Sequence, residues 1–172
     1  MYIVTLIILA EVLMWVCIGL VIFARYKLEN KPLSIFFFLL MIVVNIVLLI
    51  LTSLDLKNGG DATFAHGLAA IYIGISIAFG RSMIRYADNL YKEYILKYWV
   101  QKEKPTEKQK VMTTAQHLLA YVIGASLLYA MIEYVNDASQ TKILISFIKI
   151  WTIVMAIDLG ITLVGLINRI KK

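Results

Sequence analysis

The 172-residue sequence is short of charge: Asp, Glu, Lys and Arg make up only 16% of it, against roughly a quarter in ordinary globular domains, and 61% is apolar. With a mean hydropathy of +0.82, too little polar surface remains to cover a water-soluble globule. A soluble enzyme and a nucleic-acid-binding domain are therefore excluded. Cysteine is nearly absent. The single Cys17 sits inside an apolar run, so there is no intrachain disulfide and no cysteine-rich metal site. Met14-Trp15-Val16 ahead of it lacks the small residue of a lipoprotein cleavage site. A basic n-region is missing too: Met1-Tyr2-Ile3-Val4 has no charged side chain and the apolar run continues to Ala24, so the first segment is expected to stay as a helix. There is no GxSxG, HExxH, GxGxxG, Walker-type loop or paired CxxC, nor any internal repeat or low-complexity tract.

What the sequence does contain is long apolar runs. One bilayer crossing takes about 20 residues at ~1.5 Å each, and suitable runs fall at Tyr2–Ala24, Leu33–Leu54, Thr63–Ile84, Thr114–Val135 and Leu144–Asn168. These predict an all-α, single-domain, polytopic membrane protein of five transmembrane helices over residues 1–172. A β-barrel does not fit, because the runs are continuous and do not alternate. Pro32 stands in the first turn of the second helix, where its missing N–H costs nothing, and Asn58-Gly59-Gly60-Asp61 is turn chemistry.

The formal net charge is +6, and its distribution points to lipid headgroups. All Lys and Arg residues except Lys57, Lys142 and Lys149 fall in the first connector, the third connector or the C-terminal tail. Basic residues are held on the cytoplasmic side, so the N-terminus is expected outside and the C-terminus in the cytoplasm of a cell membrane. Four or six crossings would break that agreement.

The third connector is the only sizeable piece outside the bilayer. From Met83 to Trp99 apolar residues recur at Ile84, Ala87, Tyr91, Tyr94/Ile95 and Tyr98, which predicts an amphipathic extension of the third helix. Its other side carries Arg85, Asp88, Lys92, Glu93 and Lys97. Tyr91, Tyr94 and Tyr98 with Lys92 and Lys97 are candidates for docking a partner or anionic lipid, the alternative being a helix that covers the end of the bundle. The stretch from Lys102 to Lys108 reads as a solvated turn. Small residues at Ala70, Gly74 and Ala78, at Ala120 and Gly124 with Ser126 and Ala130 beside them, and at Ala156 and Gly160 predict close packing of helices three, four and five. The second helix is expected to face lipid on most sides.

Ionisable groups deep in the apolar layer need a partner or a job, because each costs on the order of 2.5–3.5 kcal/mol on insertion scales. Glu11 and Asp158 both fall about 14–15 Å from an end of their spans, near the middle of a ~30 Å core. If they face one another, repulsion and desolvation keep at least one protonated, as a proton relay or cation site requires. Alternatives are a Glu11–Lys149 ion pair, or carboxyls that only fix helix register. Asn45 is able to join either arrangement. His66 and His117 are placed toward opposite faces, so they share no metal or haem, and no metal site or cofactor is predicted. Asp61 with His66 alone is too sparse to define a ligand set; His66 with Glu133 or Asp137 across the outer surface is a weaker ligand reading than an interfacial hydrogen bond.

The strings His66 to Gly80 (HGLAAIYIGISIAFG), Ala120 to Ala125 (AYVIGA) and Ile150-Trp151-Thr152 with Asp158 resemble segments of the YmcC-like family of small bacterial membrane proteins, over most of the chain. The resemblance implies a cytoplasmic-membrane location and supplies no reaction, cofactor or site residues. The residues themselves point first to a small proton- or cation-linked transport or permeation protein, oligomeric because five helices offer little room for a lined pathway. A non-catalytic accessory protein that docks a membrane-protein partner or anionic lipid is second. An intramembrane enzyme with dispersed residues is third.

Overall fold

A computed structural model describes residues 2–60, 62, 64–98 and 106–170. Among the described residues there are five helices, α1 (Tyr2–Ile22), α2 (Lys31–Lys57), α3 (Phe64–Tyr94), α4 (Glu107–Val135) and α5 (Lys142–Ile170), and a π-helical turn, Phe23–Lys27, continues α1. Each of the five contains a stretch long and apolar enough to cross a membrane. Helices suit this sequence because a bilayer offers no water to satisfy backbone N–H and C=O groups, which must pair within the segment.

Local chemistry sets the helix ends. Asn30 caps α2, its side chain accepting from the Leu33 N–H at 3.0 Å, with Pro32 in the first turn. A capping box opens α4: the Gln109 N–H donates to Thr106 Oγ at 3.3 Å and the Thr106 N–H to Gln109 Oε1 at 2.7 Å. Asn136, at φ 54°, turns the chain out of α4 in the left-handed conformation that Asn tolerates. The extension of α3 is shorter than the spacing predicts. It stops at Tyr94 because Lys97 turns left-handed (φ 53°) and the Tyr98 N–H closes back on the Lys92 carbonyl at 2.9 Å. The π turn ends the same way, with Glu29 at φ 51° and the Asn30 N–H on the Ala24 carbonyl at 2.9 Å. Trp99 and residues 100–105 lie outside the described residues, as do Asp61, Lys171, Lys172 and the side chains of His66 and Arg169.

Consecutive helices pack against one another, and α2 also meets α4 while α3 meets α5. The result is a zigzag of two rows, with α2 and α4 in one and α1, α3 and α5 in the other. The closest-packed pairs are α1 with α2 and α3 with α4. Gly74 permits the second of these: a Cβ there would lie 2.5 Å from the Ala120 carbonyl oxygen and 3.2 Å from the Gly124 nitrogen. The small residues of α5 are not used this way, since Ala156 is exposed and a Cβ on Gly160 would meet nothing. That helix packs instead through Leu144, Phe147, Trp151 and Met155. The pairing of α2 with α1 and α3 buries Ser34, Val44, Asn45, Leu48, Thr52 and Leu56, while the rest of the helix is exposed or half-buried. Small residues allow a close approach without dictating it, and bulky apolar side chains pack equally well at wider spacing.

Two clusters form the core. Leu56, Ala70, Leu128, Met131 and Leu144 knit α2 to α5, and Ala10, Met14, Val44, Leu48 and Ala69 join α1 to α2 and α3. The connectors also show which ends lie together. The Ala62 N–H donates to the Gln140 carbonyl at 3.2 Å, and Lys57 donates to the Tyr134 carbonyl at 3.1 Å. The α2–α3 and α4–α5 connectors therefore share one end. Arg25 meets Asp88 at the other, which is the basic end.

Candidate functional site

Polar side chains on α4 and α5 meet in three rungs. Thr114 and Thr162 share a hydrogen bond at 2.8 Å, His117 Nδ1 lies 3.1 Å from Asp158 Oδ2, and the Tyr121 hydroxyl lies 2.8 Å from Thr152 Oγ. The α4 members are spaced i, i+3, i+7, one face of a helix. The antiparallel course of α5 brings its polar residues past them in reverse order. Which of His117 and Asp158 donates depends on the imidazole tautomer. Their side chains are 43% and 30% exposed, so the pair is neither sealed in the core nor in bulk water.

The pair opens into a groove of about 680 Å³. Its walls are α3 and α5 and its floor is α4, with Ile71, Phe79, Trp151, Val154 and Met155 among the lining residues. Phe79 stacks obliquely on the His117 ring at 5.0 Å, and the Trp151 ring meets Tyr121 edge-on at 5.7 Å. The groove is apolar everywhere except at His117 and Asp158. A side chain able to exchange a proton is thereby presented to an apolar space large enough for a small molecule.

The remaining candidates are dispersed. Glu11 is half-buried on α1, which packs on α2, and it does not line this groove. Asp158 is thus engaged by His117 and not by Glu11. Lys149 is exposed on α5, where its stem can snorkel. Asn45 is 2% exposed and faces a second groove, between α1 and α3. Its Nδ2 donates to the Met41 carbonyl at 2.9 Å, and its Oδ1 has no donor. Tyr91 is not a free docking residue, because its ring stacks on Tyr26 at 4.3 Å. Tyr94 and Tyr98 are 69% and 65% exposed, with Lys92 and Lys97 also exposed. Among the described residues, no three His, Cys, Asp or Glu side chains are grouped to hold a metal ion.

Two features are not evident from the sequence. His117 reads as an isolated histidine, yet it is the partner of Asp158; the spacing of Thr114, His117 and Tyr121 puts it on a polar face of α4 but does not say what that face meets. The second is a clasp at the basic end. Arg25 donates from Nε to Asp88 Oδ1 at 2.6 Å and from Nη2 to Oδ2 at 2.5 Å, and the Tyr26 hydroxyl donates to Oδ1 at 3.1 Å. It ties the π turn to α3. In the α4–α5 connector, Asp137 is held below the usual carboxylate range, first by the Ser139 hydroxyl and then by the N–H groups of Ser139 and Gln140.

Over 161 residues, 91% of its length, the chain is 40% identical to the uncharacterized membrane protein YmcC of Bacillus subtilis (strain 168), and the match covers 87% of that protein. No family model matches the chain. No solved structure matches it.

Proposed function

The chain belongs to the YmcC family of membrane proteins, and on that premise we propose that it is a small proton-linked transport or permeation protein of the cell membrane, with His117 and Asp158 as its ionisable centre. The observation that carries this reading is the His117–Asp158 contact at 3.1 Å on the edge of an apolar groove. Ionisable groups at such depth are expensive and are kept where they pair and exchange protons. The charge carried by this hydrogen-bonded pair sets the polarity of one wall of the groove, so the groove's affinity for an apolar or cationic molecule depends on the proton. The Thr114–Thr162 and Tyr121–Thr152 hydroxyl pairs on either side extend the polar line along the helix interface.

Reconstitution into liposomes loaded with a pH-sensitive dye, with a potassium diffusion potential as driving force, tests the proposal. Wild-type protein is expected to carry protons, with Asp158→Asn and His117→Gln each reducing the flux at least tenfold and Glu11→Gln leaving it unchanged. Equal flux through wild type and Asp158→Asn would end the assignment. One observation favours a second reading, an accessory protein that docks a partner: Tyr94, Ile95, Leu96 and Tyr98 are exposed together beside Lys92 and Lys97. Crosslinking in intact membranes separates the two. A stoichiometric partner lost on combining Tyr94→Ser with Tyr98→Ser supports docking, and the absence of any partner removes it.

A further inference from the structure

The second groove runs between α1 and α3 over α2 and encloses about 360 Å³. Met14, Ile18 and Val21 form one wall, Ile75 and Ile84 the other, and Phe38 and Met41 part of the floor. At one end the Ala10, Met14, Leu48 and Ala69 cluster fills the space between the helices. At the other, the Arg25–Asp88 pair closes it, with Tyr26 donating to the same carboxylate. Between these ends the groove is open sideways, toward lipid.

Its floor contains the one buried side-chain polar atom without a hydrogen-bond partner among the described residues, Asn45 Oδ1. The amide orientation is fixed, since Nδ2 donates to the Met41 carbonyl and the oxygen is left as a pure acceptor. An orphaned buried acceptor is costly. Ser76, also buried, adds a hydroxyl to the same groove. Among the described residues no unpaired charge faces this space: Arg25 and Asp88 neutralise one another, and no other ionisable side chain except the tyrosines lines it.

We propose that this groove is a binding site for a neutral, slender apolar molecule bearing a hydroxyl group, a lipid alcohol that enters sideways from the bilayer and donates its O–H to Asn45 Oδ1. A charged headgroup would find no counter-ion there, and a plain acyl chain would leave the acceptor unsatisfied. Ser76, in the lining of the same groove, would supply a hydroxyl to the ligand oxygen, a group that both gives and accepts. The apolar walls take the chain beside the hydroxyl, and the remainder lies in lipid. This site is separate from the His117–Asp158 pair, being lined by α1, α2 and α3.

The test uses the full chain in phosphatidylcholine nanodiscs and a C16 alcohol with a photoactivatable diazirine in its chain. Labelling is expected at Trp15, Ile18 or Ile75. Hexadecanol is expected to compete about tenfold better than hexadecyl methyl ether, which has the same chain and no donor, as loss of one buried hydrogen bond implies. Asn45→Leu should abolish the preference for the alcohol, and Ser76→Ala should reduce it, with the clasp and helical content retained. Equal competition by alcohol and ether in the wild-type protein overturns the proposal without recourse to any variant. So does labelling spread evenly along the lipid-facing side of α5, which would mean that the groove holds bulk lipid only. Proton flux through the His117–Asp158 pair is measured independently, so failure of either site leaves the other standing.

Discussion

At the scale of single residues, the informative contacts join groups far apart in the chain. Arg25 and Asp88 are 63 residues apart and form two hydrogen bonds, with side chains 11% and 29% exposed. Removing one member of a buried pair leaves the other charge unpaired, which costs about 3–5 kcal/mol at full burial; partial solvent access reduces this to roughly 2 kcal/mol. Arg25→Met should therefore destabilise the protein by that amount in thermal unfolding, and adding Asp88→Asn should recover part of the loss. A purely additive double mutant would show that the clasp contributes no coupling. In the α4–α5 connector the sign with pH is set by a depressed carboxyl. Asp137 ionises more readily in the folded state than unfolded, so its contribution is complete above the ordinary carboxylate range and is lost as pH falls through the lower folded value. Ser139→Ala removes the first cause and should move the Asp137 midpoint upward in an NMR titration. Of these residues, Asp158 was legible because a carboxylate inside an apolar run is rare. His117 and Arg25 were not recognisable as partners, since which residues face one another depends on the relative height of two packed helices, and no local pattern records that.

At the scale of elements, the five helices were readable because hydrocarbon thickness and backbone pairing leave few alternatives for runs of this length. Their contacts were less so. The π turn at Phe23–Lys27 arises from a slip in hydrogen bonding that leaves no compositional trace, and the stripes of small residues looked alike on α3, α4 and α5. Only space distinguishes them. A methyl group on Gly74 would press on the α4 backbone at Ala120, which cannot move aside like a side chain, whereas one on Gly160 enters open surroundings. Gly74→Ala is expected to cost about 2 kcal/mol through overpacking. Gly160→Ala should instead stabilise by about 0.5–1 kcal/mol through lost backbone freedom in the unfolded chain. Unfolding of both variants in one detergent provides the comparison, and a Gly74→Ala protein as stable as wild type would mean that the α3–α4 crossing is looser than its geometry indicates.

At the scale of the whole molecule, the two rows of helices create both grooves from one arrangement. Because α2 and α4 lie behind, α3 stands between α1 and α5, and each gap on its flanks is floored by a helix of the other row. Ile75 and Met83 of α3 line both grooves, so it forms the ridge that separates them. A molecule bound on one flank and a proton exchanged on the other, as proposed, would therefore act on the same helix. The ends of this bundle differ in charge. The π turn, the end of α3 and the start of α4 bring Arg25, Lys27, Arg85, Lys92, Lys108 and Lys110 to one end, while the connectors joined by the Ala62–Gln140 hydrogen bond carry Lys57 and Lys142 beside Asp55, Glu133 and Asp137. Retention of Lys and Arg on the cytoplasmic side then predicts which end faces out. Cys17 is 1% exposed and should stay silent to a membrane-impermeant maleimide. Ser139→Cys should label in intact cells, and Lys108→Cys only after permeabilisation. The opposite pattern would invert the bundle while leaving every contact within it unchanged, and it would place the His117–Asp158 groove under the other leaflet's proton concentration.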